Sequence, residues 1–277
     1  MDKETFAEII EGMASDITKI SPIGFSKSDR KVASPLIRTA FLLGAGLGTR
    51  LRPLTENCPK PLLPLGGKPM ICRAMDALIA LGIKRFIINT HHAAEVYPEK
   101  FPEGNYRGVP VELVHEPVLL ETGGGLKNIE SRLSPDDENL LVYNGDILAD
   151  LDLKKLVAEH LRSRALATLL LRTDERGNAN FEEEKQAQGG KVADLRDRLG
   201  NAGTRRCKFT GIYCVSRRFF DEIPAGKIES VVEAFLRVIA RGNGEIRGII
   251  DDAGTWRDLG TLAEYEAARK DADKRTR

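Results

Sequence analysis

Residues 42–70 read LLGAGLGTRLRPLTENCPKPLLPLGGKPM, and this stretch decides how the chain is organised. The apolar run Ala40-Phe41-Leu42-Leu43 leads into it and predicts a buried strand. Gly44, Gly46 and Gly48 follow, close enough together for backbone N–H groups to approach a ligand that a Cβ would hold off. Arg50, Arg52, Lys60 and Lys68 come next. A strand, a glycine-rich loop and spaced cations suit a polyphosphate. The backbone cradles the anion, and the cations neutralise charge that develops in phosphoryl chemistry. A P-loop is excluded, because no Lys-Ser or Lys-Thr follows these glycines. A dinucleotide fingerprint fits poorly, since G-x-G-x-x-G needs glycine where Thr49 stands; an NAD-type oxidoreductase stays as an alternative class, though it has no use for the cations that follow.

Outward from this stretch, apolar runs alternate with amphipathic ones. Pro69 opens a predicted helix to about Leu81, with Ile71, Met75, Leu78 and Ile79 on one face and Gly82 ending it. Strands are predicted over 85–89, 111–115, 140–143 and 167–171, and helices over 123–132 and 153–161. This alternation predicts an α/β fold with a mixed, mainly parallel sheet flanked by helices. Residues 173–205 are polar and turn-rich, with weak strands near Phe181 and Val192, and the acidic run Glu182-Glu183-Glu184 reads as a solvated loop. A strand over 207–215, helical patterns near 216–222 and 229–240, strands at 246–250 and Trp256, and a helix over 262–272 close the chain. No internal or hexapeptide repeat is present.

The 277 residues accommodate one large or two small domains. With a net charge of +1, no strong field favours nucleic acid or an anionic membrane. Cys58, Cys72, Cys207 and Cys214 lack CxxC spacing and read as free thiols of a cytoplasmic protein. No apolar run approaches the ~18 residues of a membrane span. Residues 1–38 are expected to form an N-terminal extension: a short amphipathic helix carrying Phe6, Ile9, Ile10 and Met13, then a Pro- and Ser-containing linker, too polar for a secretion signal. The main domain is expected over 39–270 and a frayed tail over 271–277. Monomer and dimer are both compatible with the sequence.

In α/β sheets ligands sit at the carboxyl ends of strands, where further candidates fall. Asp146 follows a predicted strand in Asn144-Gly145-Asp146, and Asp258 lies in Trp256-Arg257-Asp258-Leu259-Gly260-Thr261. Carboxylates facing phosphates suit Mg²⁺, although each aspartate alone reads equally as a helix cap or turn former. Residues 116–125, EPVLLETGGG, place Gly123, Gly124 and Gly125 between a strand and a helix, either for close approach to a ligand or as a glycine-rich helix start. His91 and His92 are adjacent and point apart, so loop-lining or packing roles are expected rather than a two-histidine clamp.

The opening stretch resembles the signature of the sugar-1-phosphate nucleotidyltransferases, L-x-x-G-x-G-T-R-L-x-P-L-T followed by K-P-L-x-P. Here it is carried by Leu43, Gly46, Gly48, Thr49, Arg50, Leu51, Pro53, Leu54 and Thr55, then Lys60, Pro61, Leu62 and Pro64. The resemblance covers about residues 39–270 and implies a Rossmann-like fold in which a sugar 1-phosphate attacks an NTP and pyrophosphate leaves. It implies catalytic roles for Arg50, on the β and γ phosphates, and Lys60, on the α-phosphate. Leu43, Gly44, Ala45, Gly46, Gly48 and Thr49 would wrap the nucleotide, and Glu116, Glu121, Thr122, Gly123 and Gly124 would read its base. Glu116 stands where many relatives carry Gln, and an ionised Glu only accepts hydrogen bonds. Asp146 and Asp258 match the family's Mg²⁺ pair. Asn144, Gly177, Asn180, Thr210 and Gly211 would face the sugar. Phe209 stands where N-acetylglucosamine-1-phosphate enzymes carry Asn, which argues against that sugar. The wording LLETGGGLKN, without a C-terminal repeat domain, resembles the short branch of N-acetylmuramate-1-phosphate uridylyltransferases and mannose-1-phosphate guanylyltransferase-like proteins. That favours UTP with N-acetylmuramate 1-phosphate or GTP with mannose 1-phosphate. A non-catalytic sugar-nucleotide sensor is the alternative, and it would be expected to have lost one of Arg50, Lys60, Asp146 and Asp258.

Overall fold

The computed structural model describes residues 37–184 and 189–275; the expected N-terminal helix and linker lie outside the described residues. In chain order the first elements are β1 (Thr39–Leu43), β2 (Pro64–Leu65), β3 (Lys68–Pro69), α1 (Met70–Leu81), β4 (Arg85–Thr90), α2 (Val96–Lys100), β5 (Asn105–Tyr106), β6 (Val109–His115) and α3 (Glu121–Asn128). They are followed by β7 (Asn139–Asn144), β8 (Ile147–Asp150), α4 (Leu153–Ser163), β9 (Ala167–Thr173), β10 (Ala179–Glu183), β11 (Gly190–Leu195) and β12 (Arg205–Ser216). The last are α5 (Val231–Ile239), β13 (Ile246–Ile250), β14 (Thr255–Asp258) and α6 (Leu262–Arg275).

Successive side chains of a strand point to opposite faces. In β1, Phe41 enters an apolar layer with Leu126 of α3 and Phe235 of α5, while Ala40 and Leu42 enter a second layer with Met75 of α1 and Leu156 of α4. Both faces are covered, which is why an unbroken apolar run makes this strand and an alternating one would not. β4 and β7 repeat the arrangement: Ile87 and Val142 face the first layer, Phe86, Ile88, Leu141 and Tyr143 the second. β1 lies parallel between β4 and β7, with β6 parallel outside β4.

The expectation of a mainly parallel sheet holds for this half only. β12 runs antiparallel to β7 and β9, β13 parallel to β9, β11 antiparallel to β13, and β10 antiparallel to both β11 and β12. Strands β9 to β13 thereby close on themselves into a small barrel. Closure depends on β12, whose first residues pair with β10 and whose last pair with β7. Gly211, at φ 80°, sits in the break of register between Phe209 and Tyr213 and lets the strand change direction there. The run read as a solvated acidic loop is part of this barrel. Glu182 and Glu183 belong to β10, and Glu184 accepts two hydrogen bonds from Arg247 at 3.0 and 2.8 Å. The short α2 and β8 had no periodicity long enough to register in the sequence. β8 matters most, because it pairs antiparallel with β14 and sets Asp258 opposite Ile147. All four cysteines are free thiols, and among the described residues no helix is long and apolar enough to cross a membrane.

On α4, Leu153, Leu156 and His160 lie on the buried face, with Asp152 capping the first turn through Lys154 N–H at 3.1 Å. The His160 ring bonds Thr168 Oγ1 and Asn139 Oδ1, each at 3.0 Å. Burial pushes its pKa from 6.5 down to about 4. The unfolded chain takes up this proton at higher pH than the folded one, so stability is full above pH 6.5 and is lost as pH falls towards 4. The loss from this group should approach about 3 kcal/mol. Denaturant unfolding across that pH range should show it, and His160→Gln should flatten the slope; an identical slope in the variant would mean that other groups dominate.

Candidate active site

The parallel register aligns three strand ends. Leu43 of β1 stands opposite Asn89 of β4 on one side and Asn144 of β7 on the other. All three line a cleft of about 600 Å³ that the glycine-rich loop overhangs. Gly44 N–H donates to Asn89 Oδ1 at 2.8 Å, and Gly44 O accepts from Tyr97 Oη at 2.9 Å. A Cβ on Gly44 would lie 2.6 Å from both Asn89 O and Tyr97 Oη, so this glycine is required by the protein rather than by a ligand. Gly46 is the converse case, with nothing within 4 Å of its missing Cβ. Among the described residues the N–H groups of Ala45, Gly46, Leu47 and Gly48 have no protein acceptor, which leaves them for an anion. Gly48 turns the chain at φ 63°, and Thr55 Oγ1 fixes the turn by donating to Gly48 O at 2.8 Å.

Below the loop, Lys60 is only 5% exposed. Its ammonium bonds Asp146 Oδ2 at 2.6 Å and lies 3.9 Å from Asp258 Oδ1. The β8–β14 ribbon brings the two aspartates together, and Gly145 tucks the end of β7 under Leu43 O, which its N–H meets at 3.0 Å. Burial first, and then the Asp146 carboxylate, raise the Asp258 carboxyl, against the pull of Lys60 and Arg50. Two carboxylates converging beside two cations would fit Mg²⁺, which takes one or two protein carboxylates and completes its shell with water and phosphate oxygens. No larger cluster of metal-ligating side chains occurs among the described residues, so a fully protein-caged ion is not built here. Arg50 extends along the cleft beside Gly260, where an added Cβ would come within 3.0 Å of its guanidinium, and it makes no ion pair among the described residues.

Residues 39–275 match the nucleotidyl transferase family model. The chain belongs to the nucleotidyl transferase family. It is 36% identical over 231 residues to a mannose-1-phosphate guanylyltransferase of Mycobacterium tuberculosis, covering 82% of this chain and 62% of that one. It is 29% identical over 199 residues to a UTP–glucose-1-phosphate uridylyltransferase of Synechocystis, covering 68% and 51%. The chain thus spans less than two thirds of the length of either relative. The UTP-bound UGPase of Acinetobacter baumannii shares the fold, with a TM-score of 0.71 at 18% identity, covering 85% of this chain and 93% of that one.

In this family member the loop expected to read the base is built differently from its sequence reading. Glu116 is wholly buried. Its Oε1 accepts from Asn89 Nδ2 at 2.7 Å and its Oε2 from Leu120 N–H at 3.1 Å, so neither oxygen is presented to the cleft. The glycines face protein rather than ligand. An added Cβ would meet Glu229 O at 2.8 Å from Gly123, Lys227 O at 2.5 Å from Gly124, and Asn89 and Glu116 at 2.8 Å from Gly125. Thr122 Oγ1 accepts from Val231 N–H at 2.9 Å while still lining the cleft. Glu121 also lines it, exposed and held at φ 59°, a strained conformation for a non-glycine residue.

On the sugar side the structure brings Asn144 to the cleft and the other candidates to the barrel. Thr210 is buried, its hydroxyl donating to Leu170 O at 2.8 Å and its carbonyl accepting from Trp256 Nε1 at 3.0 Å. Gly211 abuts the Asn144 amide, 2.5 Å from where its Cβ would be. Gly177 O accepts from Arg206 Nε at 2.8 Å, and Asn180 Oδ1 accepts from the same guanidinium at 2.8 Å. His91 and His92 bond the backbone carbonyls of Glu116 and Thr55 at 2.7 and 2.6 Å, in keeping with packing roles. Asn89, Tyr97 and Arg196 were not anticipated; a polar residue ending an apolar strand was the available signal for Asn89.

Glu116→Gln tests the buried network. The amide can satisfy only one of the two donors that Glu116 accepts from, and turning Asn89 to compensate would break its bond to Gly44. Unfolding free energy should fall by about 1–3 kcal/mol. A stability unchanged within about 0.3 kcal/mol, with nucleotide affinity altered, would instead return Glu116 to direct contact with the base.

Proposed function

We propose that this chain transfers a nucleotidyl group from an NTP to a sugar 1-phosphate and releases pyrophosphate. The observation that carries the reading is the buried Lys60 ammonium, set against Asp146 and Asp258 directly beneath a loop of free backbone N–H groups. An acceptor phosphate oxygen is already an anionic nucleophile, so no covalent enzyme intermediate is required. A new P–O bond forms at the α-phosphorus as the bond to the β-phosphate oxygen breaks, and the work left to the protein is positioning and charge neutralisation.

Each side chain has a task in this scheme. The loop N–H groups from Ala45 to Gly48 hold the phosphates. Arg50, free of ion pairs among the described residues, takes the leaving β and γ phosphates through its planar fork. Lys60 has three ammonium protons, of which Asp146 accepts one, and the others face the charge that builds at the α-phosphate. Asp146 and Asp258 would hold Mg²⁺, which supplies Lewis-acid neutralisation of the phosphate oxygens when bound. Glu121 and Thr122 line the wall where the base would lie. The pair we favour is GTP with mannose 1-phosphate, the pair that the name of the Mycobacterium tuberculosis relative implies. UTP with N-acetylmuramate 1-phosphate is the pair to set against it.

Pyrophosphate release, measured across UTP, GTP, CTP, dTTP and ATP against mannose, N-acetylmuramate, glucose and N-acetylglucosamine 1-phosphates, should show one preferred combination. With that pair Lys60→Ala should lower kcat by about 10²–10³-fold, as loss of a preorganised charge stabiliser does. Asp146→Asn should raise the Mg²⁺ concentration needed for half-maximal rate. A folded protein silent across the grid, or a Lys60→Ala variant of full activity, overturns the proposal.

A further inference from the structure

The segment that follows β4 reaches across to the anion loop at both of its ends. At the first end Asn89 and Tyr97 hold Gly44, through its N–H and its carbonyl. At the second the hold is indirect. Thr55 Oγ1 donates to Gly48 O at 2.8 Å, and the carbonyl of the same Thr55 accepts from His92 Nε2 at 2.6 Å. A carbonyl oxygen only accepts, so Nε2 carries the proton. No step of the proposed reaction has called on His92.

Thr55 is placed to pass this hold on. It is wholly buried, and its methyl group lies 3.0 Å from where a Cβ of Gly48 would be, so it both bonds the turn and packs against it. Among the described residues no backbone N–H donates to its carbonyl, and residues 52–58 form no helix or strand that could fix it instead. Without His92 a buried carbonyl is left unpaired, and the Thr55 hydroxyl loses its fixed position over Gly48. The backbone beside His92 is strained as well. Ala93 is a non-glycine residue at φ 45°, and its carbonyl accepts from Val96 N–H at 3.1 Å. A ring that only filled space would call for neither the strained turn nor a bond to this one carbonyl.

We propose that His92 is a positioning residue for the anion loop, acting through Thr55. The proposal rests on the reading of Ala45 to Gly48 as a polyphosphate cradle. Gly48 closes that cradle, and its N–H groups gain most from converging when both ends are fixed before the anion arrives. Asn89 and Tyr97 fix one end, and the His92–Thr55 pair fixes the other. His91, one residue earlier, donates instead to Glu116 O at 2.7 Å, so the adjacent rings serve different loops.

Calorimetric titration of inorganic tripolyphosphate with Mg²⁺ into the full chain reads the cradle without a base or a sugar. His92→Ala and Thr55→Val should each raise Kd about 3- to 10-fold, the size of one lost hydrogen bond. The double variant should lie within about twofold of the weaker single one, because both changes break the same link. His92→Gln, whose amide donates from near the position of Nε2, should bind within about twofold of the unmodified protein. His160→Gln changes a buried histidine that bonds Asn139, at the opposite end of β7, and should likewise leave Kd within about twofold. An unchanged Kd in His92→Ala, losses that add in the double variant, no rescue by glutamine, an equal loss in His160→Gln, or no tripolyphosphate binding by the unmodified protein overturns the proposal. Turnover is read separately: tripolyphosphate binding that depends on His92, in a chain silent towards every NTP and sugar 1-phosphate, would sink the proposed reaction and leave this role standing.

Discussion

One buried amide holds the cleft open. Asn89, at the end of β4, is 1% exposed and satisfied on both sides, accepting from Gly44 N–H and donating to Glu116. It ties the anion loop to the segment that leads into α3, two stretches separated by some seventy residues of sequence. A buried amide with both ends engaged costs little, and one with an end free is expensive. That asymmetry sets the neighbours. Gly44 and Gly125 lack side chains because Asn89 and Glu116 occupy the space their Cβ atoms would fill. The glycine-rich look of both loops is thus partly a record of this contact, and only Gly46 stands in open space towards the ligand.

The charge arrangement has a different character. A nearly buried ammonium beside two carboxylates is a poor way to gain stability, because desolvation offsets most of the Coulomb attraction. Asp258 registers the imbalance: burial and Asp146 together push its carboxyl up even with Lys60 close by. A site with one cation for two carboxylates, next to unpaired backbone donors and a free guanidinium, is incomplete as a folded core. Under the proposed function phosphates and a divalent ion would complete it, and an imbalance of this kind is expected where a protein trades stability for binding.

The fold was legible where periodicity was long. The helix at α1, the strands β1, β4 and β7, and their order follow from apolar runs and from Gly82, and they came out within one or two residues. The barrel did not, since β10 and β11 are short and polar on one face, and closure turns on a single glycine in β12 whose φ has no sequence mark. Among site residues, the Lys60–Asp146–Asp258 group was legible because motif spacing carries chemistry. Its geometry was not, because β8 is four residues long and brings Asp258 to Asp146 by pairing with a strand more than a hundred residues later. Where the Glu116 carboxylate points was not legible for a related reason. A carboxylate before a glycine run looks the same in sequence whether it points to a ligand or to a buried amide.

These two halves divide the cleft between them. The parallel half supplies the anion loop, Lys60 and Arg50 from a continuous stretch of chain, which is why so much of it can be read as a motif. The barrel half supplies its residues through long-range contacts: Arg206 of β12 fixes Asp197, Asp194 of β11 fixes the following turn, and Trp256 of β14 ties to Thr210. A substrate that differs between relatives would be expected to meet the half whose loops can vary without disturbing the parallel core. Gly211 is the joint, pressed against Asn144 on one side and bending β12 on the other. A side chain there would press on the Asn144 amide and on Ile147, so the two halves of the cleft are coupled through the one position where β12 passes from barrel to sheet.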